Sequence, residues 1–368
     1  MPRILFLHPS NELYGADKVL LAILDALPAH YDVEVWLPQD VTYSENMLFN
    51  ELRNRGIEVS FRNLAVLRRS YINVKGLLSL VPRLFDTIVT LRKTKFDLLY
   101  INTSALALMV PIGRFLGMPT ILHLHEYLQG GIKAILTPFI SFSSHVLCVS
   151  RAVRDVLPRG VRARSSVIYN GFNVQNLASP DENVRLSFLI ASRWNSWKGH
   201  ATVLAAWEKA NRSDAELHVY GGPPEVGEAV DVPEIVSRMS NSNTVYIHGQ
   251  VQNISDALKK CHVVLVPSSN PDPLPTIAIE AAGSGRAVIA SDCGGLPEIV
   301  VAGSTGWLVP PSSEQAWTQV LNTVSRSDLL AAGDNARRRY ESLFQIERFG
   351  KDILTLIEKQ IGPDSTPR

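Results

Sequence analysis

Two pairs of charged residues in the second half of the sequence lie at spacings that suit a binding site. Arg193 and Lys198 lie five positions apart, in a loop between an apolar run and a helical pattern. Two such cations can clamp a diphosphate. Asp272 and Glu280 lie eight positions apart, and each carboxylate can accept hydrogen bonds from two neighbouring hydroxyls of a ribose or a hexose. Solvated loop charges are the alternative for either pair alone, so the hypothesis of a binding site depends on their combination.

The sequence around Asp272 and Glu280 predicts a strand, a loop and a helix at the edge of a parallel sheet. Residues 262–268 form a short apolar run that is typical of a buried strand. Pro275 can begin the helix, because the first helical N–H groups need no partner within it. Four side chains of this helix are expected to face the sheet: Thr276, Ile277, Ile279 and Ala282.

A glycine turn follows the next predicted strand. Gly294 and Gly295 are expected to offer free N–H groups at the start of another helix. Helix starts and glycine turns at the carboxyl edge of an open sheet favour anions, of which phosphate is the usual one. For this turn taken alone, an ordinary strand–helix–strand unit is the alternative.

Apolar runs in the first half predict another parallel sheet. They do not alternate with polar residues, which indicates strands that are buried on both faces. His125 and Glu126 end one of these runs, so they are expected at the carboxyl edge of the sheet. His123, two positions earlier, would point to the same face and is a second candidate.

These residues resemble the donor-binding signature of the retaining glycosyltransferases of family 4, which have the GT-B fold. The family has an acid, seven residues and a second acid, here Asp272 and Glu280. The first acid is Asp rather than Glu, and Leu274-Pro275 stands in place of the usual Phe-Gly. The loop before the second half's first helix is similar to the family's Gly-Arg-x4-Lys-Gly, with Ser192 in place of the first glycine.

The resemblance extends to the first half of the chain. The loop Tyr14-Gly15-Ala16-Asp17 is similar to the family's first loop, whose glycines let the backbone approach the donor phosphates, although one glycine is absent here. A structural turn at Gly15 is the alternative. His125-Glu126 matches the family's His–acid pair near the donor sugar, and the alternative is a histidine that only ends a strand.

The resemblance implies an α/β chain with the GT-B fold, in which two Rossmann-like domains with parallel sheets face each other across a cleft. Residues 1–171 would form the acceptor domain, residues 172–345 the nucleotide-sugar donor domain, and residues 346–368 a terminal helix that crosses back to the first domain. The implied reaction moves a sugar from a nucleoside-diphosphate-sugar to an acceptor hydroxyl, with retention, in bacterial polysaccharide or glycolipid assembly.

The same resemblance implies roles for individual residues. Four residues are expected to act in catalysis: His125, Arg193, Lys198 and Asp272. Seven residues are expected to contact the donor: Gly15, Val251, Leu274, Pro275, Thr276, Ile277 and Glu280. Among these, Val251 falls where the family holds the nucleotide base through its backbone.

No cofactor or metal is expected, and the nucleotide-sugar is a substrate. The sequence contains no Asp-x-Asp motif, the metal–diphosphate clamp of another glycosyltransferase fold. Two alternatives remain: a GT-B sugar epimerase or phosphorylase, and a non-catalytic subunit that binds a nucleotide-sugar. The combined cation and acid motifs argue against the first, whereas the Asp at position 272 and the absent glycine support the second.

Composition excludes several other classes of protein. The net charge of +1 argues against a general nucleic-acid-binding protein. Three cysteines, Cys148, Cys261 and Cys293, have no CxxC spacing, so buried free thiols are expected. No apolar run reaches 18 residues, and the apolar start of the chain is too short for a signal peptide. These features predict a cytoplasmic protein.

Residues 62–95 carry eight basic side chains, one acid and many leucines. A basic amphipathic helix with this composition can lie on an anionic membrane. It can equally be a core helix with a solvated basic face, and the sequence leaves both interpretations open. The first predicts a protein on the inner face of the membrane with a lipid-linked or glycan acceptor.

Overall fold

Short apolar strands form two separate parallel sheets, one in each of two compact units. The units comprise Met1–Gly171 with Ile346–Arg368, and Phe172–Gln345. The computed structural model describes residues 1–13, 15–43, 45–68, 71, 74–180, 184–224, 227–251 and 253–362.

The sheet of the first unit has seven strands. They are β1 (Arg3–Leu7), β2 (Asp32–Pro38), β3 (Glu58–Arg62), β4 (Leu98–Asn102), β5 (Thr120–Leu124), β6 (His145–Cys148) and β7 (Ser165–Val167). Their spatial order is β3-β2-β1-β4-β5-β6-β7, and every neighbouring pair is parallel. Every residue of β4 and β5 is buried, which explains why their sequences are apolar without alternation.

Helices connect these strands. They are α1 (Gly15–Ala26), α2 (Met47–Asn54), α3 (Val74–Lys93), α4 (Val110–Phe115), α5 (Gly130–Ile140), α6 (Arg151–Asp155) and α7 (Arg159–Arg162). In α1, Val19, Leu20, Ile23 and Leu24 are buried at helical spacing and pack into the core of the first unit.

The second unit has a six-stranded sheet. Its strands are β8 (Leu186–Ala191), β9 (Ala215–Tyr220), β10 (Val245–Gly249), β11 (Val263–Val266), β12 (Ala287–Ser291) and β13 (Gly306–Val309). Their order is β10-β9-β8-β11-β12-β13, again with parallel pairs. The helices are α8 (His200–Ala210), α9 (Val232–Arg238), α10 (Ser255–Lys260), α11 (Thr276–Gly283), α12 (Leu296–Ile299), α13 (Glu314–Thr323) and α14 (Arg326–Leu343).

The last helix, α15 (Ile346–Ile361), packs in the core of the first unit. Phe349, Ile353 and Ile357 are buried at a spacing of four residues, so they line one face of the helix. A Cβ added to Gly350 would lie 2.8 Å from the Cβ of Ala26 at the end of α1. The two helices are therefore in close contact.

In each sheet, the chain changes direction beside the first strand of the unit. β1 lies between β2 and β4, and β8 lies between β9 and β11. In the first sheet, the loops after β1 and β4 therefore leave in opposite directions and open a crevice at the carboxyl edge. The loops after β8 and β11 do the same in the second sheet. Ligands of open α/β sheets bind in crevices of this kind.

The predicted parallel sheets are confirmed, and the apolar run at 262–268 contains β11. The short edge strands β7 and β13 were not predicted, and β7 has a mostly polar sequence. The predicted face of α11 is only half right. Four of its side chains are buried: Ala278, Ile279, Ala281 and Ala282. Thr276 and Ile277, in its first turn, are partly exposed, because the start of the helix extends past the edge of the sheet.

All three cysteines are free thiols, as predicted. Cys148 and Cys261 are buried, whereas Cys293 is partly exposed in the loop after β12, contrary to expectation. Among the described residues, no helix has the length and apolar character needed to cross a bilayer.

Candidate functional site

The loop that follows β8 packs directly against the end of β11. Gly199 has a φ of +75°, and a Cβ added to it would lie 1.9 Å from the carbonyl oxygen of Pro267. The backbone N–H of Ser269 donates to the carbonyl oxygen of Trp197 at 2.8 Å. Glycine tolerates both the left-handed backbone and the close approach. Gly199 therefore holds Lys198 at the crevice of the second sheet.

Lys198 and Asp272 form an ion pair at this crevice. The Nζ atom of Lys198 lies 2.5 Å from Oδ2 of Asp272 and 4.2 Å from the centre of the Trp197 ring. Asp272 is only 7% exposed, so little water screens the pair. The sequence places both residues in one site, but it does not predict that they contact each other.

The glycine turn after β12 supports the backbone of Asp272. Gly294 has a φ of +59°, and a Cβ added to it would lie 2.3 Å from the carbonyl oxygen of Asp272. The N–H of Gly295 donates to the same oxygen at 2.8 Å. The expectation of two free N–H groups is therefore wrong for Gly295. The following α12 has only four residues, so it adds little helix dipole.

Helix α11 begins at the same edge of the second sheet. Leu274 and Pro275 are buried and lead into Thr276, the first residue of the helix. Thr276, Ile277 and Glu280 are partly exposed. The first N–H groups of a helix have no partners within it and carry partial positive charge. The arrangement suits a phosphate beside the start of α11.

Two other predicted contacts of the second unit are more exposed. Arg193 lies on the loop after β8, five residues before Lys198, and its side chain is exposed. Val251 is 47% exposed and follows β10, an edge strand two positions from β8. The contacts described above bring Lys198 and Asp272 together, but they include neither Arg193 nor Val251.

In the first unit, His125 lies at the carboxyl edge directly after β5, where the sequence predicts it. Its Nε2 atom lies 2.8 Å from Oδ1 of Asn102, the last residue of β4. The Nδ2 atom of Asn102 lies 2.9 Å from Nδ1 of His8, and Nε2 of His8 lies 2.5 Å from Oδ1 of Asp17. Burial, and secondarily the neighbouring His8, lowers the pKa of His125 to about 3. The imidazole is therefore neutral at pH 7.

The second candidate, His123, is fully buried within β5. Its Nδ1 atom lies 2.9 Å from the hydroxyl of Tyr100, and burial lowers its pKa well below the usual value. A side chain in this position does not reach a ligand at the sheet edge. Glu126 instead accepts the N–H of Ser104 at 3.1 Å, and burial raises its pKa.

Gly15 begins α1, the helix after β1. It does not have a positive φ, and a Cβ added to it would meet no atom within 4 Å. Among the described residues, neither backbone strain nor crowding requires a glycine here. Tyr14, the first residue of the predicted loop motif, lies outside the described residues.

Sequence reasoning missed the contacts of His8, Asp17 and Asn102 with the candidate site. A signal was present, because His8 directly follows β1 and Asn102 ends β4, just as His125 directly follows β5. The carboxyl ends of these parallel strands meet at one edge of the sheet. The same reasoning that selected His125 therefore selects the other two.

The basic stretch at 62–95 contains the helix Val74–Lys93. Two of its arginines are engaged by one buried carboxylate outside the stretch. Arg68 makes two hydrogen bonds of 2.8 Å to Asp40, and Arg83 lies 3.2 Å from the same carboxylate. The two arginines hold the pKa of Asp40 below its usual value despite burial. Arg69 lies outside the described residues.

Among the described residues, no group of three His, Cys, Asp or Glu side chains is placed to hold a metal ion. The crevice of the second sheet has Lys198, Asp272 and the partly exposed Glu280 among its charged groups. An arrangement of this kind can bind a phosphorylated ligand through a cation and backbone N–H groups.

Sequence profiles of two glycosyltransferase families match the chain. The profile described as Glycosyltransferase Family 4 matches residues 14–176, and the one described as Glycosyl transferases group 1 matches residues 185–327. Between them they match most of both units.

Individual relatives match over shorter segments. D-inositol 3-phosphate glycosyltransferase of Streptomyces avermitilis is 30% identical over 125 residues, covering 33% of this chain and 27% of the relative. Alpha-maltose-1-phosphate synthase of Mycolicibacterium smegmatis is 26% identical over 240 residues, covering 58% of this chain and 62% of the relative. The chain thus spans less than two thirds of the length of the curated relatives it matches.

Solved structures match over almost the entire chain. The crystal structure of HepE from Anabaena, in complex with UDP and glucose, has a TM-score of 0.78 and 21% identity, and the match covers 97% of this chain and 99% of HepE. At this identity the likeness shows the fold. Together, the two parallel sheets and these matches define a glycosyltransferase with the GT-B fold. Within that class, the chain belongs to glycosyltransferase family 4.

Proposed function

We propose that the chain transfers a sugar from a nucleoside-diphosphate-sugar to an acceptor hydroxyl, with retention and without a metal. The observation that carries this proposal is the meeting of Lys198, Asp272 and the start of α11 at the crevice of the second sheet. The family membership supports it, and so does the UDP and glucose in the HepE structure. These matches favour assembly of a bacterial polysaccharide or glycolipid.

In this reaction the main barrier is the breaking of the bond between the sugar and the diphosphate. Negative charge grows on the leaving phosphate, so cations and N–H groups fixed beside it stabilise the transition state most. Lys198 supplies the positive charge, and the first N–H groups of α11 supply the dipole. Arg193, on the same loop as Lys198, adds a second cation once the donor is bound. The departing phosphate accepts the proton of the acceptor hydroxyl.

Glu280 is assigned to the hydroxyls of the ribose. Its carboxylate lies one helical turn after Thr276, the first residue of α11. A charge-assisted hydrogen bond contributes about 1.5–3 kcal/mol. Glu280→Gln should therefore weaken the free nucleoside diphosphate and the intact donor alike. Weaker binding of the sugar-bearing donor alone would place Glu280 at the sugar instead.

A thermal-shift screen against UDP-, GDP-, ADP- and dTDP-sugars tests whether the chain binds a donor. Binding of a ligand to the folded state alone raises the unfolding temperature. We expect one base to give the largest shift, and the same shift in EDTA as in magnesium. Product analysis by NMR then tests retention, since the anomeric configuration of the transferred sugar must match that of the donor.

The first unit adds a proposed contact with an anionic membrane. Helix α3 buries Leu80, Thr87 and Leu91 on one face. Four large apolar side chains on the other face are more than half exposed: Leu77, Leu78, Val81 and Phe85. We call this set the α3 apolar face. Lys75, Arg92 and Lys93 on the same helix are exposed as well.

An amphipathic surface of this composition suits an anionic lipid bilayer. The exposed apolar side chains would enter the headgroup region, and each cation near the surface contributes about 1 kcal/mol. A lipid-linked or polymeric acceptor would then meet the enzyme at the membrane. Arg68 and Arg83 contribute little to this contact, because Asp40 already holds them.

Vesicle binding tests the membrane contact. Wild type should bind vesicles that contain anionic phospholipid, and the binding should weaken as salt rises, because charges are screened within about 10 Å at 0.1 M. Leu78→Ser with Phe85→Ser should abolish binding, whereas Val301→Ser, an exposed apolar site in the second unit, should not. If wild type ignores anionic vesicles at low salt, the acceptor does not depend on membrane docking.

A further inference from the structure

A chain of polar side chains crosses the crevice of the first sheet. His8 directly follows β1, Asn102 ends β4, and His125 directly follows β5. Asp17 lies in the first turn of α1. His8 and Asn102 are fully buried, Asp17 is 2% exposed, and His125 is partly exposed. This hydrogen-bond network thus runs from a buried carboxylate to a partly exposed histidine.

The carbonyl oxygen of Ala16 indicates the direction of the hydrogen bonds. It lies 3.3 Å from Nδ2 of Asn102, and a carbonyl oxygen can only accept. The amide nitrogen of Asn102 must therefore face Ala16 and His8, and its oxygen must face His125. It follows that Nε2 of His125 donates to Oδ1 of Asn102.

The Asp17 end of this hydrogen-bond network gives the same direction, through a shorter and charge-assisted bond. Asp17 is a carboxylate, which can only accept, so Nε2 of His8 donates to Oδ1 of Asp17 at 2.5 Å. Nδ1 of His8 faces the amide nitrogen of Asn102, which can only donate, so Nδ1 accepts from Nδ2 of Asn102 at 2.9 Å. The hydroxyl of Ser10 also donates to Asp17, at 2.5 Å. Each hydrogen bond from Asp17 to His125 therefore has one donor and one acceptor.

We infer that Asp17, His8 and Asn102 are positioning residues that fix His125 as its Nε2–H tautomer, so that Nδ1 accepts a hydrogen bond from a sugar hydroxyl. This inference rests on the proposed glycosyl transfer. A free imidazole exchanges between two tautomers, and only one of them presents an acceptor at Nδ1. Fixing that tautomer before the sugar binds removes the need to rearrange the site during the reaction.

A purely structural role for the network makes a different prediction. In that case Asp17 only ties the start of α1 to the end of β1, and its loss would lower stability without affecting the tautomer of His125. Nitrogen-15 NMR of labelled histidine separates the two roles, because protonated and unprotonated ring nitrogens have well-separated shifts. The spectrum of His125→Gln identifies the signals of His125 among the nine histidines.

In wild type at pH 7, we expect His125 to show an unprotonated Nδ1 and a protonated Nε2. An unprotonated Nε2, or averaged signals from both tautomers, would overturn the inference. This measurement needs no substrate. It therefore tests the inference even if the proposed transferase activity is not found. An active enzyme with the other tautomer would overturn the inference and leave the proposed function standing.

Asp17→Asn tests the end of the hydrogen-bond network that is farthest from His125. An amide can donate as well as accept, so His8 is no longer held in one tautomer, and the 3.3 Å contact of Asn102 with Ala16 is too long to hold the direction alone. We expect averaged signals for His125 and a fall of at least about tenfold in kcat, with the donor KM within about twofold. Asp32→Asn removes a carboxylate that pairs with Arg3 in the same unit and should change neither readout. A lower kcat with unchanged His125 signals, or changed signals with normal kcat, would contradict the inference.

The source of the hydroxyl follows from one further comparison. If the hydroxyl belongs to the donor sugar, Asp17→Asn should slow donor hydrolysis in the absence of acceptor as much as it slows transfer. If it belongs to the acceptor, hydrolysis without acceptor should be unchanged. Both results support the inference, and the pattern assigns the sugar that His125 contacts.

Discussion

Lys198 has two partners in this account, a buried carboxylate before the donor binds and a diphosphate afterwards. Asp272 keeps the cation at the crevice and, being 7% exposed, depends on it in return. Removal of one partner from a buried pair leaves an uncompensated charge and costs about 3–5 kcal/mol of stability. A single substitution at Lys198 therefore mixes stability with catalysis.

A double variant separates the two effects. Lys198→Ala should lose about 3 kcal/mol of transition-state stabilisation, or about a hundredfold in turnover, and should also lower the unfolding temperature. Adding Asp272→Asn removes the buried charge, so the unfolding temperature should recover while turnover stays low. Turnover and thermal unfolding are measured on both variants. Recovery of both together would make Lys198 only a structural partner of Asp272, and Lys209→Ala, at an exposed pair, is the control.

Gly15 offers a test of whether the loop after β1 contributes to the donor site. Because Gly15 lacks a positive φ and has free space around it, Gly15→Ala should fold normally and gain up to about 1 kcal/mol of stability from the higher helix propensity of alanine. Donor affinity should fall, since the methyl group stands where a phosphate would approach the backbone. Gly131→Ala, near the start of α5 in equally open space, should have no effect on donor binding. Unchanged affinity in Gly15→Ala would exclude this loop from the site.

At the scale of elements, the sequence predicts the buried strands well and the edges poorly. β4 and β5 are buried along their whole length, so their apolar runs are unambiguous. β7 has three half-buried residues, Ser165–Val167, and its polar sequence resembles that of a loop. In α3, leucines occupy both the buried and the exposed face, so their spacing alone does not show which face packs on the sheet.

Ion pairs between distant residues are also hidden from the sequence. The spacing of Arg68 and Arg83 suggests a solvated basic helix, but both lie against Asp40, 28 and 43 positions away. Lys198 and Asp272, 74 positions apart, are a second example. In the candidate site, motif and strand position predicted the location of the residues at the sheet edges. Their partners depend on tertiary contacts.

The contacts of Asp40 with Arg68 and Arg83 predict that two charge reversals near α3 will affect stability to very different extents. Arg68→Glu removes two charge-assisted hydrogen bonds and places a carboxylate beside buried Asp40, so it should lower the stability of the first unit by several kcal/mol, about 3–5. Arg92→Glu, on the exposed end of the helix, should change stability by less than about 0.5 kcal/mol. Denaturant unfolding of both variants measures the difference. Equal stability of the two would mean that Arg68 is as solvated as Arg92.

At the scale of the whole molecule, both units contain histidines that are neutral when folded. Burial lowers the pKa of His125 to about 3, and burial beside Lys198 and Arg326 lowers the pKa values of His200 and His262, respectively, to about 4. In the unfolded chain, these histidines bind a proton below their usual pKa of about 6.5. Between pH 6.5 and 4 the unfolded chain therefore binds more protons than the folded chain. Stability therefore falls as the pH falls through this window.

Acidification from pH 7.5 to 5.5 should cost about 1.4 kcal/mol for each of these histidines. Two of them lie in the second unit, which should lose about twice that amount. The raised pKa of Glu126 has the opposite effect on the stability of the first unit. As the pH falls, the folded state binds this proton at a higher pH than the unfolded state does. Denaturant unfolding at the two pH values measures the change. An increase in stability of the second unit on acidification would show that His200 and His262 are charged in the folded protein.

Release of nucleoside diphosphate from UDP-, GDP-, ADP- and dTDP-sugars, measured in EDTA, tests the central claim of glycosyl transfer most directly. Hydrolysis, in which water replaces the acceptor, breaks the same bond. It is expected to proceed slowly and can be measured when the acceptor is unknown. The account predicts turnover of at least one donor by wild type, and about a hundredfold less by Lys198→Ala. Donor binding without release by wild type would make the chain a nucleotide-sugar-binding subunit, and release only after addition of magnesium or manganese would contradict the metal-independent mechanism.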